Sequence, residues 1–597
     1  MDIKEMAGLS LGSTSATSAS GLDFRDHSSA GMDNLSESKK RKKQKKKKKS
    51  KCVAISILDQ LHRNGAALAL PSQKLAEAIF PWKAANIPNR GRSAVATRLI
   101  KAGEVIVAEQ AVAFVTLSSY RTALCHACCQ DLVEGSPRYE CSLCSYAVYC
   151  LECQRDALSW HKKWCHVVAS IKNIAKQASC DEDLLHLVLA LALSKSPSLK
   201  KRGVLGEGFV GTSSDGIIYP CFSDVMGLQT HHDKAKADWK AAVRKGCESL
   251  REAITQLELE DEDEETICQT LTVEDLEMLA ALVNTNAHGM GAQGPRNTDS
   301  ALGIFPFVSM LNHSCRPNCC FASDHKIMYV RATRDVPKGS ELCVSYINSY
   351  EPRATRKQEL AVNKHFVCCC ERCMEPLHLS VDRFLEGCIC QVKGCGGVLI
   401  RTASKKESSS EADVALSPWE CDLCSSVLDP GLPSPAKSKA FGDKPWELVS
   451  QAEGRLVAAM AVYIERRFKE ARVLLEQFLA DFTGKLHPLH VLLFDALTPL
   501  MNCCRAMGDA EEGSRICRTI INCLEKVSSG PTLELANFYY CLGEMHAERA
   551  DTYGLSRVLA KRHMRLAHEA FEHVEIIQNV CLGKSTMASR LSKQKPE

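Results

Sequence analysis

Apolar residues change their spacing several times along this chain, and each change predicts a different kind of structure. Residues 1–80 show no sustained apolar period and read as a tail, with one short helix near 55–61. From Pro81 the pattern becomes short apolar runs at 94–97, 105–108 and 112–115, separated by turn chemistry at Arg90-Gly91-Arg92-Ser93 and Lys101-Ala102-Gly103-Glu104. Such runs predict β-strands. Between His166 and Val283 the spacing is helical, with loops around 203–216 and an acidic run at 258–265 that reads as a solvated helix end or loop. Strands return at 319–322, 327–332 and 342–346, and a connector rich in Cys, Ser and Pro covers 379–440. From Pro445 to Leu582 Ala, Leu and Glu recur at helical spacing, with helix pairs over 465–482, 490–507, 510–525 and 533–550.

Composition narrows the class. The chain has 597 residues, of which 45% are apolar and 24% charged, enough for several domains with a sizeable core. The longest apolar stretch, 184–193, is interrupted by His186 and is far shorter than the roughly 20 residues of a membrane span. The amino terminus lacks the basic-then-apolar order of a secretory signal, so the reading places the chain inside the cell, in nucleus and cytoplasm. Net charge is +4, but Lys39 to Lys51 holds eleven basic side chains and no acid. Taking these from the 75 Lys and Arg leaves 64 against 71 Asp and Glu, so the rest of the chain is acidic overall. That excludes a broadly basic nucleic-acid-binding body. The lysine run reads as an import signal, a weak nucleic-acid-binding arm or a solvated tail.

There are 32 cysteines. In a reducing compartment, clustered thiols serve as metal ligands rather than as disulfides. Eight ligands fall in order: Cys125-x2-Cys128, Cys141-x2-Cys144, Cys150-x2-Cys153 and His161-x3-Cys165. They suffice for two closed tetrahedral zinc sites with no position left for water, so this zinc is structural. Too few apolar residues lie between them to form a core, and metal binding supplies the folding energy.

The block, with Tyr149-Cys150 and His161-Lys162-Lys163-Trp164-Cys165, resembles a MYND zinc finger. The resemblance implies interleaved sites: Cys125, Cys128, Cys150 and Cys153 in one, and Cys141, Cys144, His161 and Cys165 in the other. Where family members have three residues between the fifth and sixth ligands this chain has two, which leaves the neighbouring Cys129 as a rival to Cys153.

Four further motifs follow in order. These are Asn89-Arg90-Gly91-Arg92-Ser93; Asn284-Thr285-Asn286; Leu311-Asn312-His313-Ser314-Cys315-x-Pro317-Asn318; and Gly339 to Tyr346, ending Cys343-Val344-Ser345-Tyr346. With the finger they resemble the SET and MYND domain protein lysine methyltransferases over roughly 81–374. The resemblance implies that Arg90, Arg92, Asn286, Asn312, His313, Tyr346 and Phe366 hold S-adenosylmethionine and that Tyr346 is catalytic. It also implies that Cys315, Cys368, Cys370 and Cys373 bind a post-SET zinc that closes the site. Two positions depart from the family: Ser93 stands for a glycine and His288 for an aromatic residue.

The expected fold is α+β: a SET-type β fold interrupted by a MYND finger and a helical insertion, then a post-SET zinc clip and an α-helical C-terminal domain similar to tetratricopeptide repeats. The expected divisions are a tail with the basic run (1–80), the first SET part (81–122), the MYND finger (123–166), the helical insertion (167–283), the SET core (284–350), the post-SET region (351–378), a Cys-rich linker (379–440) and the helical domain (441–597). Cys390, Cys395, Cys421 and Cys424 have zinc-ribbon spacing, with free thiols on a linker as the alternative. The expected activity is methyl transfer from S-adenosylmethionine to lysine of histone or non-histone proteins, with three zinc sites. The rival is a SET and MYND scaffold that has lost activity. Partners are a protein substrate and peptides held by the finger or the helical tail, which reads equally as a buttressing bundle.

Overall fold

The expected strands form, but they are distributed among several small sheets around one site. The computed structural model describes residues 70–132, 135, 137–195, 211–212, 216–257, 269–291, 299–402, 417–430, 444–552 and 557–583. Helix α1 (Gln73–Ile79) precedes β1 (Trp82–Ile87), β2 (Gly91–Ala96), β3 (Val105–Gln110) and β4 (Ala113–Thr116). The Cys-rich block contributes β5 (Arg138–Glu140) and β6 (Val148–Cys150), then α2 (Leu151–Ala178). Next come α3 (Glu182–Leu193), β7 (Gly211–Thr212), β8 (Ile218–Tyr219), α4 (Ala237–Thr255) and α5 (Val273–Asn286). Strands β9 (Ala287–Met290), β10 (Ala301–Ile304), β11 (Asn312–His313), β12 (Cys319–Asp324), β13 (Ile327–Ala332) and β14 (Cys343–Val344) follow, then α6 (Arg353–Asn363). The chain continues through β15 (Cys388–Ile389), β16 (Val398–Arg401), β17 (Trp419–Cys421) and β18 (Val427–Leu428). It ends in α7 (Pro445–Ile464), α8 (Phe468–Phe482), α9 (Val491–Ala506), α10 (Ala510–Val527), α11 (Leu533–Thr552) and α12 (Arg557–Cys581).

The largest sheet has the order β12-β13-β3-β8-β7; β4, β10 and β9 form a second, and β1 pairs with β2. Five of the six residues of β3 are buried, as expected for a strand covered on both faces. Trp82, Phe305 and Phe307 anchor the core between these sheets. A second core lies among α2 to α5, and a third joins β15 to β18 with the C-terminal helices. No helix among the described residues is long and apolar enough to cross a membrane.

Four differences from the sequence reading have physical causes. The tail ends before residue 80: Leu70, Ala76 and Phe80 are buried, and Ser72 donates from its backbone and hydroxyl to the buried Asp224 carboxylate. A short helix with one apolar face is easily missed without its tertiary partner. No break separates the finger from the helical insertion, because α2 runs unbroken from Leu151 to Ala178 and carries His161 and Cys165. Strands β1, β9 and β10 were not expected; their mixed small residues become strands by pairing. Finally, the stretch 379–440 contains a four-stranded sheet, β15-β16-β17-β18. The predicted helix near 55–61, the basic run and the acidic run at 258–265 lie outside the described residues.

Candidate active site

Three clusters of Cys and His side chains stand ready to hold metal, and the third packs against Tyr346 and Phe366. Within each, the ligand atoms lie within 4.8 Å of one another: Cys125, Cys128, Cys150 and Cys153; Cys141, Cys144, His161 and Cys165; and Cys315, Cys368, Cys370 and Cys373. Ligands about 2.3 Å from a tetrahedral zinc lie about 3.8 Å apart. The observed separations fit: Cys128 to Cys150 is 4.0 Å, Cys141 to Cys165 is 3.6 Å and Cys315 to Cys373 is 3.5 Å. The interleaved pairing is the one the resemblance implied. Cys153 belongs to the first cluster, whereas Cys129 takes a left-handed conformation (φ 59°) just beyond it and does not.

The third cluster joins the Asn312-His313 strand to the segment after α6. β11 pairs in parallel with β14, opposing Asn312 to Cys343 and His313 to Val344. Cys315 therefore leaves the end of a strand pair directly into the clip. Behind it, the buried Asp382 carboxylate is shared by Arg353, Arg356 and Arg372 at 2.6–3.0 Å. Arg356 also donates to Cys315 Sγ at 3.2 Å. Three guanidinium groups against one carboxylate leave two positive charges, the complement of the two negative charges of a zinc tetrathiolate. The arginines make chemical sense as counterions to a loaded site.

In front of the clip lies a cavity of about 860 Å³, within the range of small-molecule sites. Arg90, Arg92, Asn286, Asn312, Tyr346 and Phe366 all line it. His313 does not: its ring is buried, with Nδ1 accepting from the Tyr346 backbone N–H at 3.0 Å and its carbonyl accepting from Arg90 at 2.9 Å. It sets the backbone on which Tyr346 stands. Arg90 also pairs with Glu341 at 2.6 Å. The Asn312 amide nitrogen faces Ser93 Oγ at 2.7 Å and Glu341 Oε1 at 3.0 Å, which leaves its side-chain oxygen to accept from a ligand. Gly91 takes φ +69°, a conformation glycine adopts without strain, at the tip of the β1–β2 hairpin.

Both departures from the family pattern are accommodated. Ser93 is fully buried beneath the turn and is not among the lining residues; its hydroxyl instead secures Asn312. His288 lines the cavity and packs edge-on against Phe305 and Phe321, at 6.1 and 5.8 Å between ring centroids. Burial, with the nearby Lys364 ammonium, lowers its pKa to about 4, so it is neutral at physiological pH.

Tyr346 Oη donates to the Leu311 carbonyl at 2.6 Å. Burial and the Cys343 thiol raise its pKa well above the ordinary tyrosine range, so the hydroxyl keeps its proton. Lys364 was not expected here. Its ammonium donates to the Thr285 carbonyl at 2.9 Å and stands 5.9 Å from the centre of the Tyr346 ring, on the cavity wall. Its place two residues before Phe366 was the only hint in the sequence. Asp382, Arg356 and Arg372 carried no motif signal, and only the packing reveals them.

Residues 91–347 match the SET domain family. The histone-lysine N-methyltransferase ASHR1 of Arabidopsis thaliana is 24% identical over 325 residues, covering 54% of this chain and 61% of that protein. The histone-lysine N-methyltransferase SMYD3 of Mus musculus is 22% identical over 298 residues, 48% of this chain and 59% of the relative. Smyd1 of Mus musculus, another histone-lysine N-methyltransferase, is 25% identical over 303 residues, 48% and 54%. The chain thus spans about three-fifths or less of the length of these curated relatives. With its SET domain interrupted by two interleaved Cys/His clusters and followed by a third, the chain is similar to these histone-lysine N-methyltransferases in both sequence and arrangement.

Proposed function

We propose that this chain is a protein-lysine N-methyltransferase that uses S-adenosylmethionine. The observation that carries the reading is the convergence of Asn312, Tyr346 and Phe366 on one cavity beside a four-cysteine clip. When bound, S-adenosylmethionine supplies a sulfonium-activated methyl group for in-line displacement by an amine. The chain's own residues do the rest. Asn312 offers a side-chain oxygen to an α-ammonium group, and Phe366 offers a ring face to a purine. Arg92 and Arg90 stand on the cavity wall, where the Arg90 charge is balanced by Glu341. Tyr346, its hydroxyl fixed by the Leu311 carbonyl, orients the acceptor nitrogen beside the transferring methyl group. The three clusters above hold structural zinc. Finger and C-terminal helices border the substrate and recruit peptides, and the chain works in nucleus and cytoplasm.

The acceptor lysine must enter without its proton. A second cation in the same small space disfavours the ammonium form of the incoming side chain. Lys364 supplies that cation at pH values below its own pKa, which burial lowers from the ordinary lysine value. Replacing Lys364 with methionine is therefore expected to move the acidic limb of the kcat/KM profile to higher pH, because the acceptor then holds its proton longer. Replacement with arginine keeps the charge and the profile. An unmoved limb in the methionine variant would remove Lys364 from this role.

The reading is tested by calorimetric titration with S-adenosylmethionine, followed by labelled methyl transfer to histones and cell-extract proteins. Binding with transfer to lysine is expected. A folded, zinc-loaded protein that binds no S-adenosylmethionine would be a scaffold instead.

A further inference from the structure

We propose that Cys390, Cys395, Cys421 and Cys424 bind a further structural zinc ion, and that this ion fastens the C-terminal helices to the rest of the molecule. The four sulfurs lie within 4.8 Å of one another, with Cys390 to Cys424 at 3.8 Å and Cys395 to Cys421 at 3.5 Å. These are the separations of a tetrahedral zinc tetrathiolate. No pair among them is a disulfide.

Proximity alone would be weak, but the backbone repeats a built feature. In the finger, Cys125-x2-Cys128 and Cys141-x2-Cys144 are each followed by a left-handed residue, Cys129 and Ser145 (φ 59° and 50°). That residue donates to the carbonyl of the first cysteine, at 2.8 and 3.0 Å. The first cysteine's own N–H donates across the turn to Gln130 and Ala147 respectively, at 2.9 Å in both. Cys421-x2-Cys424 does the same: Ser425 has φ 57°, donates to Cys421 at 3.1 Å, and the Cys421 N–H donates to Ser426 at 2.9 Å. The Cys424 N–H points at Cys421 Sγ at 3.5 Å. Backbone N–H groups aimed at sulfur stabilise a thiolate, the form that binds metal. On the other hairpin, a Cβ at Gly397 would stand 2.7 Å from Cys421 Sγ, so glycine is what lets the two hairpins close on the sulfur cluster.

The consequence lies in what the sheet touches. Its strands are only two to four residues long, too short to hold together by packing alone. Yet Ile389 donates to the Lys485 carbonyl at 2.7 Å, His487 donates to Gly387 at 2.9 Å, and Phe384 stacks on His487 at 4.2 Å. These bonds fix the loop between α8 and α9. Trp419, Leu399 and Leu428 enter the same core as the C-terminal helices.

Elemental analysis of the full chain, purified without chelator, is expected to give four zinc ions. Cys421→Ser with Cys424→Ser is expected to give three, with faster hydrogen exchange at 388–428 and 483–490 and unchanged exchange at 312–346. A count of three in the unaltered chain, unchanged in the double variant, would overturn the site. A second measurement does not depend on the variant folding. Cys424 and Cys369 are both exposed, and Cys369 belongs to no cluster. In the unaltered protein Cys424 is expected to react with N-ethylmaleimide at least about tenfold more slowly than Cys369, until a strong chelator is added. Equal rates before chelation would show free thiols, and a mass two hydrogens lighter within this cluster would show a disulfide; either overturns the proposal.

Discussion

Replacing Tyr346 with phenylalanine is expected to cut methyl transfer by about 10²–10⁴-fold while sparing the fold, the zinc content and most of the affinity for S-adenosylmethionine. The hydroxyl donates to the Leu311 carbonyl at 2.6 Å, so its loss removes that hydrogen bond together with the proposed contact to the acceptor nitrogen. The ring stays: it packs near His313 and Phe366, with centroids 5.4 and 6.5 Å away. Because the hydroxyl is held well above the ordinary tyrosine pKa, first by burial and then by Cys343, it does not serve as a phenolate base. The defect should therefore persist at all assay pH values rather than vanish in alkali. Transfer assays and calorimetry on the same sample check both halves of the expectation. Undiminished transfer would take Tyr346 out of the mechanism.

The largest effect on stability is expected at Asp382. Asparagine there leaves Arg353, Arg356 and Arg372 facing one another with no buried carboxylate among them. Breaking a buried ion pair from one side costs about 3–5 kcal/mol. The same substitution should weaken zinc at the Cys315 cluster, because Arg356 and Arg372 hold Cys315 from Sγ and from its carbonyl. Burial by itself would raise the Asp382 pKa, but the hydrogen bond from Arg356 and the charges of Arg372 and Arg356 outweigh it and hold the carboxyl below its ordinary value. A depressed carboxylate contributes stability that is present above the unfolded value of about 3.9 and is lost as pH falls through the folded one. The difference in denaturation midpoint between the two proteins should thus be full near neutrality and shrink only in strong acid. A difference under about 1 kcal/mol at neutral pH would show that the arginines find other partners.

Much of the site was legible because its chemistry is local. Asn312, His313 and Cys315 lie within four residues, and the finger's ligands within about forty, so spacing exposed the candidate atoms, while their interleaved pairing came from the resemblance and their grouping from the fold. The same holds for the helices after Pro445, whose apolar period needs no partner to be seen. The strand pattern was only partly visible. β3 and β13 are dense in β-branched and apolar residues, whereas β9 (Ala287–Met290) and β10 (Ala301–Ile304) are strands only because they lie beside each other and β4.

The sequence by itself picked out the cysteine and histidine clusters and the Asn312 turn and Tyr346, since thiolate spacing and a short polar motif act over a few residues of chain, while the structure separated Cys153 from Cys129. Only the tertiary structure decided how the site is charged and held. Lys364 reaches Tyr346 from eighteen positions later in the chain, and Asp382 gathers three arginines from two different segments. Charges buried together must be balanced in space, and no local spacing records which distant segment supplies the balance.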